Sequence, residues 1–150
     1  MIKKILLTVL SLGIVLVGVA LVMFATNPAP KVDRISSQES EKPYVVKLHA
    51  RWCPVCALTK SVWSDIEKAH SASVNLVVFD FTNGTTTEAS RREAKRIGLD
   101  TFFEEYAGWT GAIAVLDGQT KKVITVLEGR RSGAEYHAAI DAALKATTRR

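Results

Sequence analysis

The two cysteines of this 150-residue chain, Cys53 and Cys56, are separated by only two residues. They lie where an extended hydrophobic run gives way to a pattern with helical spacing, and the chain contains no other cysteine. Two thiols at a strand-to-helix junction can form a disulfide and be reduced again, so this pattern indicates redox chemistry.

The helix that follows should make these two thiols unequal. If Cys53 is the N-cap, Pro54 takes the first helical position, where its missing N–H costs nothing. Backbone donors of Val55 and Cys56 then face the Cys53 sulfur, so its pKa should fall below the usual value of about 8.5. We therefore expect Cys53 to attack a substrate disulfide and Cys56 to resolve the mixed disulfide.

Other uses of the cysteine pair have less support. A structural zinc site would need two further ligands, and the three histidines, His49, His70 and His137, are widely spaced. Haem attachment is excluded because Ala57, not histidine, follows Cys56. A soft-metal carrier and an inert structural disulfide stay open as alternatives, although closing so small a loop stabilises little. No metal or other cofactor is expected.

The hydrophobic pattern also predicts the elements that must position this pair. Their order is β-α-β-α-β-β-α, with strands at 44–49, 74–81, 112–116 and 122–127 and helices at 54–69, 85–97 and from 132 onward. The almost continuous apolar run at 74–81 predicts a central strand that is covered on both faces. The region from 99 to 111 is expected to be a loop.

Local signals mark where some of these elements begin and end. Thr85 and Glu88 have the spacing of a capping box at the start of the second helix, and Gly98 follows its end. Asp117 and Gly118 form a turn signal between the last two strands, which predicts a hairpin.

A run of 20 uncharged residues, 5–24, precedes the elements described above. As a helix it would extend about 30 Å, the thickness of the hydrocarbon core of a bilayer. We predict a short cytoplasmic tail at 1–4, a transmembrane anchor at 5–24, a polar linker at 25–43 and a folded domain at 44–147. The alternative is a cleaved signal peptide, although the run exceeds the usual apolar core of about 7–15 residues.

The charges beside this run bear on the location of the domain. Lys3 and Lys4 precede the run, and together with the very short tail they favour a domain outside the cytoplasm. The expected location is the cytoplasmic or thylakoid membrane, as a single-pass protein with an extracytoplasmic domain. Cleavage of the segment would instead give a secreted or periplasmic protein.

The charge balance of the folded part excludes one class of partner. Beyond residue 30 the chain has 18 lysines and arginines against 15 acidic residues, a net charge of +3. This excess is too small to indicate a nucleic acid partner.

The stretch Trp52-Cys53-Pro54-Val55-Cys56 after a hydrophobic strand, within this order of elements, resembles the thioredoxin-like family. The likeness covers residues 44 to about 146 and is greatest to membrane-tethered members that act outside the cytoplasm. It implies a three-layer α/β sandwich with a mixed four-stranded sheet. It also implies that Cys53 and Cys56 are the catalytic pair and that Trp52 and Pro54 lie at the substrate-binding surface.

Two positions depart from the family pattern. Gly111, preceded by Thr110, stands where the family usually places a cis-proline at its substrate-binding edge beside the cysteines. Lys47 stands where thioredoxins carry a buried acid, six residues before the first cysteine; it would favour thiolate if charged, or it could extend into water from a strand end. His49, on the same strand face, could add positive potential or simply pack or hydrogen-bond at the strand end. Trp109 belongs to a loop that should border the cysteines.

These observations predict a thiol–disulfide oxidoreductase that acts on protein substrates with cysteines. The resemblance favours a reductant, and such a protein would need a transmembrane electron donor because the predicted span contains no cysteine. The alternative is a membrane-tethered binding or assembly module whose cysteines are secondary.

Overall fold

The computed structural model describes residues 41–129 and 131–149. The predicted tail, the predicted anchor and most of the predicted linker lie outside these residues. Within the described ranges, no helix has both the length and the apolar character needed to cross a membrane.

The described residues form four strands and five helices. The strands are β1 (Tyr44–His49), β2 (Asn75–Asp80), β3 (Ala112–Leu116) and β4 (Val123–Glu128). The helices are α1 (Pro54–Leu58), α2 (Lys60–His70), α3 (Gly84–Ile97), α4 (Asp100–Glu105) and α5 (Gly133–Thr148).

The strands form one mixed sheet in the order β2-β1-β3-β4. β1 pairs in parallel with β2 and antiparallel with β3, and β3 pairs antiparallel with β4, so the predicted hairpin is confirmed. Leu48 near the end of β1 lies opposite Ala112 at the start of β3. The loop after β1, which carries the cysteines, therefore meets the residues that precede β3.

Helices cover both faces of this sheet, which confirms the predicted three-layer arrangement. Alternate residues of β1 point to opposite faces, as the strand period of two requires. On one face, Val46 and Leu48 pack with residues of α3 and α4, including Ala94, Phe102 and Phe103. On the other face, Val45 packs with residues of α2 and α5, including Trp63, Ile66, Tyr136 and Ile140.

The prediction that the second strand is central was wrong. Among the strands that the structure describes, β2 lies at an edge of the sheet and pairs with β1 alone. Phe79 is fully buried, but Val78 is 45% exposed. A continuous apolar run predicts a strand but carries no information on strand order, which is set by pairing between distant segments.

The first predicted helix is divided at Thr59 into α1 and α2. Thr59 has φ −92° and ψ 5°, and its hydroxyl donates to the carbonyls of Val55 (3.1 Å) and Cys56 (3.3 Å). A threonine hydroxyl that bonds to the preceding turn competes with regular helix geometry, which accounts for the break.

Two details of the next segment also differ from the prediction. The capping box of α3 is formed by Asn83 and Thr86, two residues upstream of the expected pair Thr85 and Glu88. Gly98 follows the end of the helix, as predicted, and has φ 74°. The expected loop after Gly98 contains the short helix α4, which buries Phe102 and Phe103 against the sheet. Burial of two large aromatic side chains accounts for this helix, since each contributes about 1.5–3 kcal/mol.

Candidate active site

Cys53 is the N-cap of α1, as the sequence predicts. Its backbone is extended, with φ −83° and ψ 115°, and Pro54 follows within the first turn. The Cys53 sulfur accepts a hydrogen bond from the backbone N–H of Cys56 at 3.2 Å. The Cys53 amide donates to the carbonyl of Ala50 at 3.2 Å, which fixes the turn that leads out of β1.

The hydrogen bonds around Cys53 lower the pKa of its thiol. Burial alone would raise that pKa, because Cys53 is only 6% exposed. Hydrogen bonds from the Cys56 thiol and the Thr110 side chain oppose burial, as do the backbone amides of Cys56 and Val55. These donors prevail, so the pKa of Cys53 lies below its ordinary value.

Cys56 has the opposite character. It is 2% exposed, and its thiol donates to the carbonyl of Leu48 at 3.7 Å. Burial raises the pKa of Cys56, and its interactions with Cys53 raise it further. The Ala50 backbone and the charge of Lys47 lower it only in part. Cys56 therefore remains a thiol where Cys53 ionises.

Gly111 brings the backbone before β3 directly against the cysteine pair. Its φ is +88°, and its amide donates to the Leu48 carbonyl at 2.8 Å. A Cβ at this position would lie 2.9 Å from the Cβ of Val55 and 3.4 Å from the Cys53 sulfur. No peptide bond in the described ranges is cis. The position therefore combines a left-handed backbone with a contact that only glycine can make.

The two sequence neighbours of Cys53, Trp52 and Pro54, are exposed. Trp52 is 62% exposed, and its indole Nε1 donates to the carbonyl of Thr82 at 3.2 Å. The amide of Arg51 donates to the Thr82 hydroxyl at 2.9 Å, and Pro54 is exposed. Sequence reasoning missed Thr82, which holds this loop. Its position just after a strand parallel to β1 was the available signal, since the carboxyl ends of parallel strands meet at one edge.

A stack of aromatic rings supports the loop that carries Thr110. Trp109 is 48% exposed and stacks on Tyr106, with ring centroids 5.2 Å apart. Tyr106 stacks in turn on the buried Phe102 at 4.7 Å. Thr110 and Gly111 directly follow this stack, and both contact Cys53. The prediction that this loop borders the cysteines is therefore confirmed.

Lys47 and His49 lie behind Cys56. Lys47 is only 8% exposed, so most of its side chain packs inside the domain. Its Nζ lies 5.4 Å from the centroid of the Trp63 ring. Burial lowers the pKa of Lys47, and the negative charges of Cys56 and Glu67 oppose that effect. His49 has a buried Nδ1 with no hydrogen-bond partner among the described residues.

Comparisons with known proteins identify the fold. No protein-family model and no curated protein matches the sequence. Among solved structures, a thiol:disulfide interchange protein of the thioredoxin family from Chlorobium tepidum TLS has a TM-score of 0.50 and 22% identity, covering 73% of this chain and 83% of that chain. At this identity the likeness is one of fold, and the chain has a thioredoxin-like fold.

Two further structures are similar to a lesser degree. MTB DsbF has a TM-score of 0.48 and 22% identity, covering 69% of this chain and 81% of that chain. A secreted Mycobacterium tuberculosis disulfide oxidoreductase homologous to E. coli DsbE has a TM-score of 0.48 and 16% identity, covering 71% of this chain and 85% of that chain.

Proposed function

We propose that this chain is an oxidoreductase that exchanges disulfides with protein substrates through Cys53 and Cys56. The observation that supports this proposal most strongly is the opposite hydrogen bonding of the two thiols: the Cys53 sulfur accepts from the Cys56 amide, whereas the Cys56 thiol donates to the Leu48 carbonyl. A thiolate is the nucleophile in disulfide exchange, and a protonated second thiol does not compete for the first attack. Cys53 is thus suited to attack and Cys56 to resolve.

For a substrate that is reduced, the reaction has two exchanges. The Cys53 thiolate attacks one sulfur of the substrate disulfide, the substrate S–S bond breaks, and the departing substrate thiolate takes up a proton. Cys56 then loses its proton and attacks the Cys53 sulfur. The Cys53–Cys56 disulfide forms, the second substrate sulfur leaves, and two electrons have passed to the substrate.

We assign the substrate-binding surface to the residues on either side of Cys53. Trp52 and Pro54 are exposed beside it and offer an apolar contact on one side. Thr110 and Gly111 flank it on the other side. A cysteine-containing polypeptide that lies between these two sides would present its sulfur to Cys53.

The sequence before the described domain supports a membrane location. We propose that residues 5–24 anchor the chain and that residues 25–43 link the anchor to an extracytoplasmic domain. The alternative, a secreted or periplasmic protein, follows if that segment is cleaved. We also propose that the protein is a reductant, in which case a transmembrane donor must return electrons to the pair because the chain has no further cysteine.

Insulin disulfide reduction by the full chain tests the proposed activity. The wild type should reduce insulin well above background, and Cys53→Ser should lower the rate to background. Cys56→Ser should accumulate a mixed disulfide that contains the substrate. If the wild type is no faster than a double serine variant, the exchange activity is rejected, and a thioredoxin-like binding or assembly module becomes the better description.

The reduction potential of the pair tests the direction of electron flow. A value below the thioredoxin level of about −270 mV is expected for a dedicated reductant. A value well above that level would support oxidase or isomerase activity instead. Equilibration with glutathione or dithiothreitol buffers, followed by thiol trapping, measures it.

A further inference from the structure

An open cleft of about 520 Å³ lies behind the cysteine pair, between the end of β1 and α2. Cys56 borders it, whereas Cys53 does not. Its charged and polar lining includes Lys47, His49, Arg51, Lys60 and Glu67. Three of these residues are cations and one is an acid, so the lining carries an excess of positive charge.

The innermost cation of this cleft lacks a counter-ion at contact distance. Lys47 is 8% exposed, and its Nζ makes no hydrogen bond or ion pair with any residue that the structure describes. The carboxylate of Glu67 is turned to another group, since its Oε1 accepts a hydrogen bond from Trp63 Nε1 at 2.6 Å. The Lys47 Nζ lies over the Trp63 ring, 5.4 Å from its centroid, and an incoming anion would supply a counter-ion there.

A second residue of the lining, His49, has a polar atom without a partner among the described residues. The Nδ1 atom of His49 is buried and makes no hydrogen bond within the described ranges. In the tautomer that carries its proton on Nδ1, it would donate to an anion. Ala50, Ala57 and Trp63 add apolar surface to the wall.

We propose that this cleft binds an organic carboxylate. The carboxylate oxygens would pair with the Lys47 ammonium and accept a hydrogen bond from His49, while the hydrocarbon part packs against Trp63. Arg51 and Lys60 are exposed and would attract the anion electrostatically. The volume of the cleft lies in the range of small-ligand sites, about 300–1,000 Å³.

This proposal goes beyond disulfide exchange because it couples a ligand to the resolving thiol. A carboxylate bound at Lys47 places a negative charge beside Cys56, so it should make ionisation of Cys56 less favourable. By linkage, the Cys56 thiolate should weaken carboxylate binding by the same factor. The ligand would therefore slow the second exchange and leave the first attack by Cys53 unchanged.

Binding can be measured without any redox turnover. The three indole N–H signals of the reduced full chain are recorded by NMR while sodium butyrate replaces sodium chloride at constant ionic strength, and Trp63→Phe assigns the signal in the cleft. We expect a saturable shift of the Trp63 signal, whereas Trp52 and Trp109 shift little. Lys47→Met should weaken binding at least tenfold, and Lys60→Met should weaken it a few-fold.

Lys121→Met is the matched control. The Nζ of Lys121 also lies over an aromatic ring, 4.2 Å from the centroid of Tyr44, but it is outside this cleft. Butyrate affinity should not change in this variant. If Lys47→Met fails to fold, Lys60→Met provides the test, because Lys60 is exposed and its replacement leaves the core intact. Equal butyrate affinity in the wild type and Lys60→Met would then overturn the proposal.

Further experiments identify the source of the carboxylate. Cysteine peptides that carry glutamate or glutamine are trapped on Cys53 in the Cys56→Ser chain. A Trp63 shift with the glutamate peptide alone indicates an acidic side chain of a client, and a shift with butyrate alone indicates a free organic acid. No saturable shift with either, or tighter binding of inorganic phosphate than of butyrate, would overturn the proposal. Failure of insulin reduction with intact butyrate binding would reject the exchange activity only.

Discussion

The surroundings of Cys53 and those of Cys56 differ in one respect that decides their chemistry. Both residues are buried, with exposures of 6% and 2%, so burial alone would keep both thiols protonated. Donors converge on the Cys53 sulfur, whereas the Cys56 thiol donates to the carbonyl of Leu48. Burial therefore raises the pKa of both thiols, and only at Cys53 do the hydrogen bonds it accepts bring the pKa below its ordinary value.

Distant segments of the chain create this difference. Cys56 acquires its acceptor from β1, which is nearby in sequence. Cys53 acquires part of its donor set from Thr110, more than 50 residues away, because β3 pairs beside β1. Variants that alter the surroundings of one cysteine and leave those of the other intact test whether the two environments are independent.

The largest effect is expected from Gly111→Ala. The variant would place a methyl group 2.9 Å from the Cβ of Val55 in a left-handed backbone conformation. We expect the free energy of unfolding to fall by about 2–4 kcal/mol and the alkylation rate of Cys53 at pH 7 to change with it. Urea unfolding and iodoacetamide trapping measure the two quantities.

Gly108→Ala is the control for that variant. Gly108 lies in the same loop with φ +79°, but an added Cβ would meet nothing within 4 Å. Only the cost of the left-handed backbone should apply, so the free energy of unfolding should fall by about 1–2 kcal/mol. Equal losses in the two variants would show that contact with α1 does not contribute.

Thr110→Val should affect Cys53 alone. Valine keeps the shape of the side chain but removes the hydroxyl that lowers the pKa of Cys53. The pKa of Cys53 should rise toward its ordinary value, and its alkylation rate at pH 7 should fall about threefold to tenfold. Thr101→Val, at an exposed position of α4, should leave the rate unchanged. A pKa that stays the same in Thr110→Val would remove Thr110 from the site.

Lys47→Met should affect Cys56 alone. The charge of Lys47 lowers the pKa of Cys56, so its removal should raise that pKa further. We expect the mixed disulfide to be resolved a few-fold more slowly in stopped-flow exchange, with the first attack by Cys53 unaltered. The same rate of resolution in the wild type and Lys47→Met would contradict this assignment. Lys121→Met again serves as the control.

The smallest effect concerns a region away from the cysteines, where α2 meets α5. His70 Nε2 and His137 Nδ1 are 2.8 Å apart, and burial, followed by repulsion from His137, lowers the pKa of His70. A histidine with a depressed pKa contributes stability that is present above its unfolded value of about 6.5 and is lost as pH falls through its folded pKa. His70→Gln should flatten that part of the stability curve. An unchanged slope below pH 6.5 would exclude His70 as its source.

The sequence alone was sufficient for the parts of this site that are local. Pro54 and the spacing of the cysteines predicted the N-cap geometry of Cys53, whereas the position of Gly111 beside the pair was implied only by the resemblance to the thioredoxin-like family. The edge position of β2 could not be predicted, because it depends on which strands pair, whereas Thr82 had an available signal in its position just after a strand parallel to β1. The break of the first predicted helix at Thr59 depends on a single hydroxyl group, which hydrophobic periodicity cannot predict.

Site-resolved alkylation of the reduced full chain, followed by mass spectrometry from pH 5 to pH 10, tests the central claim most directly. The opposite hydrogen bonding of the two thiols predicts that Cys53 is modified with an apparent pKa below about 8.5. It predicts that Cys56 is modified only at higher pH. Modification of Cys56 first, or of both cysteines with the same pH dependence, would contradict the assignment of Cys53 as the attacking thiol and Cys56 as the resolving one.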